Sequence, residues 1–230
     1  MNYPPNDPII NCKNDTIYFP SDDSFLIIDY FKKVITKTSF DGYDIEEIHN
    51  ILDMGTGTGI IAIFLKMFAN QLSNFNPRIY ASDILKEAIK CAKNNKKVNK
   101  VKGKIYFIQS DLFKSFPIKL KNKFNVIIFN PPYLPAIDHN LSYTISDIDY
   151  SWNGGEKGYE ALINFFNEIP TYLNFENSTA CLLYFVTSSR IRKENITKVL
   201  TQLGFQLTEV AKTHIFFEDI ILNKAVRISS

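Results

Sequence analysis

Apolar residues fall into two kinds of rhythm along this chain. After the polar pair Ser21-Asp22, Phe25, Ile28, Phe31 and Ile35 recur at helical spacing, which predicts a helix to about Val34 with Ser21 or Asp22 as its N-cap. Ile51–Met54 is a short apolar run ending in glycines and reads as a buried strand feeding a loop. Ile60–Leu72 is apolar nearly all round, so it predicts a well-buried helix. The alternation continues with a strand at Arg78–Asp83, a helix at Leu85–Val98, and strands at Lys104–Gln109 and Phe124–Asn130. Residues 131–157 read as a long loop, and loops of that length inside compact domains usually carry function. A helix at Gly158–Leu173, a strand at Ala180–Thr187 and a helix at Lys193–Leu203 follow. The end, Phe205–Ile228, holds two β-like runs with no helix between them, hence an antiparallel hairpin.

Strands alternating with helices predict an α/β fold, a mostly parallel sheet with helices on both faces and right-handed crossovers. No internal repeat or linker marks a second domain. With 230 residues, 45% of them hydrophobic and 14% aromatic, the chain can bury a sizeable core. A formal net charge of +2 is too small to mark a dedicated nucleic-acid binder. Cys12, Cys91 and Cys181 are widely spaced, which suits a reducing compartment and argues against a disulfide scaffold. The three histidines, His49, His139 and His214, are equally scattered, so no metal site is expected. No secretory signal or membrane-spanning run is visible, and the expected place of work is the cytoplasm.

Three acids at three successive strand ends then narrow the chemistry. Leu52-Asp53-Met54-Gly55-Thr56-Gly57-Thr58-Gly59 joins a strand to a helix, and its glycines allow a sharp turn and close approach to a ligand. Gly57-x-Gly59-x-x-Ala62 also fits a relaxed dinucleotide pattern, so NAD has to be weighed. Asp83 ends the next strand, where a carboxylate can accept from ribose hydroxyls, or simply cap a helix. Asp111 ends the third strand. Its carboxylate can accept from an adenine amine while the backbone N–H of Leu112 donates to a ring nitrogen. Asp53, just before the glycines, would repel a pyrophosphate and attract a cationic head. The set favours S-adenosylmethionine over NAD.

Val126-Ile127-Ile128-Phe129-Asn130-Pro131-Pro132-Tyr133 is the sharpest signal. The prolines fix φ and lack N–H donors, leaving carbonyls free to accept. The Asn130 side-chain oxygen and the Pro131 carbonyl could then grip both hydrogens of an –NH2 group. They would orient its delocalised nitrogen toward a methyl donor and stabilise the charge that develops. Tyr133 could stack on the planar target.

With these motifs the chain resembles the HemK/PrmC class of protein-glutamine methyltransferases, especially its short archaeal and eukaryotic type. Pro20-Ser21-Asp22-Asp23-Ser24-Phe25-Leu26 is similar to the family's Pro-x-x-Asp-Ser/Thr-Phe-Leu segment, and Trp152-Asn153-Gly154-Gly155-Glu156-Lys157-Gly158 to its Trp-x-Gly-Gly-x-x-Gly segment. The resemblance implies a class I Rossmann-like fold with a seven-stranded sheet. Residues 1–40 would be an extension and helix packing on the cofactor site, and residues 41–230 one compact methyltransferase unit. It implies that Ser24, Asp53, Gly55, Gly57, Gly59, Asp83, Asp111, Leu112 and Asn130 bind cofactor. Asn130, Pro131, Pro132 and Tyr133 would hold the glutamine of the Gly-Gly-Gln loop in a translation termination factor. The alternatives are a DNA or RNA amino-methyltransferase, since such enzymes share the Asn-Pro-Pro-Tyr motif, and a non-catalytic scaffold.

Two expectations concern surfaces. The family's third strand is an edge strand, so Lys104–Gln109 should lie at the sheet edge, with Ile105 and Phe107 on one face and Tyr106 and Ile108 on the other. Its middle lacks the charge or proline that normally blunts an edge, and the short type of the family works with a small zinc-binding activator subunit that would add there. The lysine-bearing stretch from Lys86 to Lys123 is either a solvated face or a basic surface that meets nucleic-acid phosphates.

Overall fold

The structure is a computed structural model and describes residues 4–12, 17–132, 160–175 and 180–228. Helix α1 spans Asp22–Val34, and a small hairpin follows, β1 at Ser39–Phe40 with β2 at Tyr43–Asp44. Then come β3 (Asn50–Met54), α2 (Ile60–Ala69), β4 (Arg78–Asp83), α3 (Lys86–Val98), β5 (Ile105–Gln109) and β6 (Val126–Phe129). The chain closes with α4 (Glu160–Tyr172), β7 (Leu182–Ser188), α5 (Lys193–Gln202), β8 (Phe205–Ile215) and β9 (Glu218–Arg227). The expected long loop after the sixth strand lies outside the described residues, except for Pro131 and Pro132. So do Tyr133 and the Trp152–Gly158 segment.

The main sheet has seven strands in the order β5-β4-β3-β6-β7-β9-β8. Strands β5 to β7 pair in parallel, β9 runs antiparallel between β7 and β8, and the terminal hairpin stands as expected. Strict alternation along the strands sends side chains to two cores. Ile51, Val126, Ile128, Leu182 and Tyr184 pack with α1 and α2 on one face. Leu52, Met54, Ile127, Phe129, Leu183 and Phe185 pack with α4 and α5 on the other. The second core is aromatic: Phe113 stacks on Tyr172 at 4.1 Å between ring centres, and Phe129 meets Phe165 at 4.6 Å. Strand β5 is at the edge, with Ile105 and Phe107 toward the first core and Tyr106 and Ile108 toward the second. No described helix is long and apolar enough to cross a membrane.

Two features depart from the sequence reading. The two-residue strands β1 and β2 are too short to leave a pattern. Their turn is fixed by Asp41, whose carboxylate accepts from the Tyr30 and Tyr184 hydroxyls and pairs with Lys224 at 2.8 Å. The isolation expected of the cysteines also fails for one pair. Cys12 and Cys91, 79 residues apart, are joined as a disulfide with their Cα atoms 5.8 Å apart. The reason is that the N-terminal segment runs along α3, held by Ile9 N–H to Asn99 Oδ1 (2.8 Å) and Asn11 N–H to Asn95 Oδ1 (2.9 Å). Cys181 is buried, is in no disulfide among the described residues, and donates its thiol to the Asn174 carbonyl at 3.2 Å.

Asn125, fully buried at the start of β6, ties three strands together. Its side-chain oxygen accepts from the N–H groups of His49 (2.9 Å) and Asn50 (3.0 Å). Its own N–H donates to the Asn50 carbonyl, and its carbonyl accepts from Leu182. Asn125→Ala would leave two backbone donors without an acceptor. We expect a loss of about 2–3 kcal/mol in urea unfolding, with Asn125→Asp, which keeps an acceptor, losing less.

Candidate active site

The carboxyl ends of β3, β4, β5 and β6 converge on one cavity, the place where open α/β sheets bind ligands. The glycine loop after β3 crosses its floor. Gly55 and Gly57 line it with φ of +64° and +53°, a region costly for other residues. A Cβ on Gly55 would come within 3.1 Å of the Phe129 ring, so the loop lies directly on the end of β6. Gly59 is not on the cavity wall. Its φ is +83°, and an added Cβ would meet Ala92 of α3 at 2.7 Å, so it is small in order that α2 and α3 can pack.

The three acids play different parts. Asp83, 8% exposed, lines the cavity and is already engaged: Oδ2 accepts from Gly57 N–H at 2.8 Å and Oδ1 from Leu85 N–H at 2.9 Å. It thus tethers the glycine loop and caps the start of α3 at once. Burial raises its proton affinity and these N–H groups oppose the rise. Asp111 lines the cavity with an exposed carboxylate paired to Lys114 at 2.6 Å, and Leu112 follows with φ of +44°. Asp53 stands behind the wall. Its Oδ2 accepts from Thr56 Oγ1 (2.5 Å) and Ala62 N–H (3.1 Å), fastening the loop to the first turn of α2, while its buried Oδ1 has no partner among the described residues.

Ser24, buried in α1, reaches the cavity and donates to Asp23 through its N–H (2.5 Å) and hydroxyl (3.1 Å). Asn130 and Pro132 line the opposite side, with Pro131 buried just behind. The Asn130 side-chain oxygen is buried and has no hydrogen-bond partner among the described residues. An orphaned acceptor of that kind normally costs about 1–3 kcal/mol, and it stands where a donor on a ligand would satisfy it. Tyr133 falls outside the described residues.

Pro20, the first residue of the Pro-x-x-Asp-Ser segment, closes the cavity from the N-terminal side together with Ile17 and Tyr18; sequence reasoning did not single out Ile17, Tyr18, or Ala161 and Asn164 of α4. The Tyr18 hydroxyl donates to Asp23 Oδ2 at 2.9 Å, and burial pushes its proton affinity up. Nothing in their spacing could have found them, because they enter from segments distant in sequence. The described wall carries two carboxylates and no Lys, Arg or His. That charge suits a ligand with cationic groups and disfavours a pyrophosphate.

Comparison with known proteins agrees with this geometry. The family model for the methyltransferase small domain matches residues 40–146. A putative protein N5-glutamine methyltransferase of Methanocaldococcus jannaschii is 32% identical over 213 residues, 92% of this chain and 92% of that protein. The eRF1 methyltransferase catalytic subunit of Schizosaccharomyces pombe is 26% identical over 220 residues, 93% of this chain and 90% of that one. Among solved structures, the E. cuniculi Mtq2–Trm112 complex, responsible for methylation of the eRF1 translation termination factor, gives a TM-score of 0.64. It is 20% identical, covering 93% of this chain and 99% of that one, and so shares the class I Rossmann-like fold.

Burial raises the Asp53 carboxyl from an ordinary 3.8 to about 7, against the lowering effect of its bonds from Thr56 and Ala62, with Asp83 adding to the rise. Between those two values the folded state holds a proton that the unfolded chain has released. This group therefore stabilises the fold increasingly as pH falls from about 7 toward 4, and that contribution is lost as pH rises through 7. Urea unfolding of the ligand-free protein should show the stability gap between wild type and Asp53→Asn shifting in favour of wild type as pH falls. A gap that does not change with pH would refute this.

Proposed function

The chain belongs to the protein N5-glutamine methyltransferase family, and from that premise we propose a specific reaction. Its substrate is the side-chain amide of the glutamine in the Gly-Gly-Gln loop of a translation termination factor, and its methyl donor is S-adenosylmethionine. The observation that carries the reading is the unpartnered Asn130 oxygen, buried at the cavity beside two consecutive prolines that have no N–H to offer it. The names of the fission-yeast relative and of the E. cuniculi complex support the choice of protein substrate.

The residues fit such a donor. S-adenosylmethionine supplies an electrophilic methyl group on a sulfonium. Asp83 accepts from ribose hydroxyls with the oxygen valences its N–H bonds leave free. Asp111 and the Leu112 N–H hold the adenine edge, and Asp53 sets the electrostatics beneath the glycine loop. On the acceptor side the Asn130 side-chain oxygen and the Pro131 carbonyl take the two amide hydrogens. Two acceptors fix the nitrogen in line with the methyl group and stabilise the positive charge that grows there. No histidine or lysine on the described wall acts as a base. The transfer would break the sulfonium carbon–sulfur bond and leave a neutral thioether, and the methylated nitrogen, then acidic, would lose its proton to water. Tyr133 stacks on the amide plane. Residues 1–40 serve as an extension that closes the cofactor site, in keeping with Ile17, Tyr18, Pro20 and Ser24 on its wall, and residues 41–230 form the catalytic unit. The protein works in the cytoplasm, where its substrate acts.

The edge strand receives a second protein. Strand β5 has one unpaired side, and Tyr106, Phe107 and Ile108 are half-buried along it. A small activator subunit, zinc-binding in the family the sequence resembles, adds a strand there. Phe107→Lys should abolish co-purification of the pair while leaving the fold intact by circular dichroism. A monodisperse chain, fully active alone and indifferent to that change, would refute the partner.

The decisive assay compares methyl transfer to a Gly-Gly-Gln protein with transfer to an adenine-containing oligonucleotide. Transfer to the protein is expected, and transfer only to the oligonucleotide would overturn the assignment. Asn130→Ala should lower turnover on the order of 100-fold, by analogy with loss of one oxyanion-hole donor, while cofactor affinity by isothermal titration changes far less.

A further inference from the structure

Lys66 is the single ionisable residue in α2, a helix in which nine of ten residues are buried, and it is itself only 7% exposed. It does not face the methyl-transfer cavity. It lines a recess at the opposite ends of the strands, where β3, β4 and β5 begin, together with His49, Arg78, Lys104 and Tyr106. The path of its side chain is set by Gly103, whose φ is +79°. A Cβ there would lie 2.9 Å from Lys66 Cε and 3.4 Å from Nζ. Lys104 leans over the Tyr106 ring, 4.4 Å from its centre. Among the described residues the recess has no Asp or Glu on its wall. Among the described residues, Lys66, Arg78 and Lys104 are absent from every ion pair.

Lys66 has a buried side-chain stem and an ammonium that no described carboxylate pairs, and a partly desolvated charge in that condition is costly. The carboxyl end of α2 offsets part of that cost through its carbonyls. Burial and the neighbouring Lys96 still lower the proton affinity of Lys66, so the site as it stands wants negative charge. We propose that this recess is an anion site that takes a phosphate group, held by Lys66, Arg78 and Lys104. The three cations arrive from three elements, α2, β4 and the turn before β5, and so approach from different directions. A tetrahedral dianion offers an oxygen to each, whereas a planar carboxylate offers two oxygens and one charge. The site is independent of methyl transfer, and it gives Lys104 of the basic stretch a specific role.

The test titrates the 230-residue chain with inorganic phosphate, ionic strength being held constant with chloride, by calorimetry and thermal unfolding. Parallel arms use a short 5′-phosphorylated RNA and a peptide rich in Asp and Glu. Phosphate should raise the unfolding temperature where chloride does not. Arg78→Gln and Lys104→Gln should each weaken phosphate binding about tenfold. Lys66→Met should abolish the response and, having removed an unpaired buried charge, should be at least as stable as wild type in chloride. If Lys66→Met fails to fold, the two glutamine variants carry the test. Tighter binding of the RNA than of free phosphate assigns the phosphate to a nucleic acid, and equal binding assigns it to a small phosphate ligand. Equal responses to phosphate and chloride would overturn the proposal, as would binding of the acidic peptide alone, or a phosphate response that survives both Arg78→Gln and Lys104→Gln.

Discussion

The hydrogen bond from Gly57 N–H to Asp83 Oδ2 is the constraint on which the site depends. It joins the loop after β3 to the end of β4, and the backbone bond from Thr56 N–H to the Ser82 carbonyl, 2.8 Å, runs beside it. With those bonds made, the glycine loop cannot lift away from the sheet, and its N–H groups and carbonyls are set before any ligand arrives. The same carboxylate caps α3, so the helix that covers β4 and β5 is registered to the loop. Gly59 against Ala92 completes the arrangement, because α2 and α3 approach closely only where neither carries bulk. A ligand-binding floor, a helix start and a helix–helix contact thus share a few atoms. That economy is a form of preorganisation: the site loses little further entropy on binding.

Helix α2 shows how a buried apolar element tolerates charge at its ends. Asp53 lies at its amino end, where the N–H of Ala62 donates to it, and Lys66 lies in its last turn. Each charge has the sign that the helix dipole favours. Neither is fully satisfied: Asp53 keeps one oxygen without a described partner, and Lys66 forms no described ion pair. Buried groups left in this condition weaken the isolated fold. Lys66 faces the recess where β3, β4 and β5 begin, whereas Asp53 lies behind the wall of the carboxyl-end cavity and holds its glycine loop.

The fold was largely legible because its signals are local. Short continuous apolar runs marked the buried strands and helical spacing marked α1, and the strand Arg78–Asp83 was read to the residue. The absence of a helix in Phe205–Ile228 was enough to predict the antiparallel hairpin. The motifs were legible for a related reason: a glycine loop, an acid at a strand end and Asn-Pro-Pro are each fixed by the geometry of a single turn. Contacts between segments distant in sequence were not legible. The Cys12–Cys91 bond, the Asp41 cluster and the Tyr18 side of the cavity all join residues whose own neighbourhoods carry no sign of the partner.

The sequence by itself determined the element order, the parallel sheet and the place of the glycine loop and Asn130 at its carboxyl edge. Those follow from backbone and side-chain preferences that act over a few residues. Only the tertiary structure decided the finer roles. Asp53 supports the loop from behind, because its carboxylate is fully occupied on one side by Thr56 and α2. Gly59 serves packing, because α3 crosses within contact distance of it. Lys66 joins Arg78 and Lys104, because three strands that are consecutive neighbours in the sheet begin side by side. Charge and burial at a point depend on everything packed around that point, and no stretch of chain carries that information alone.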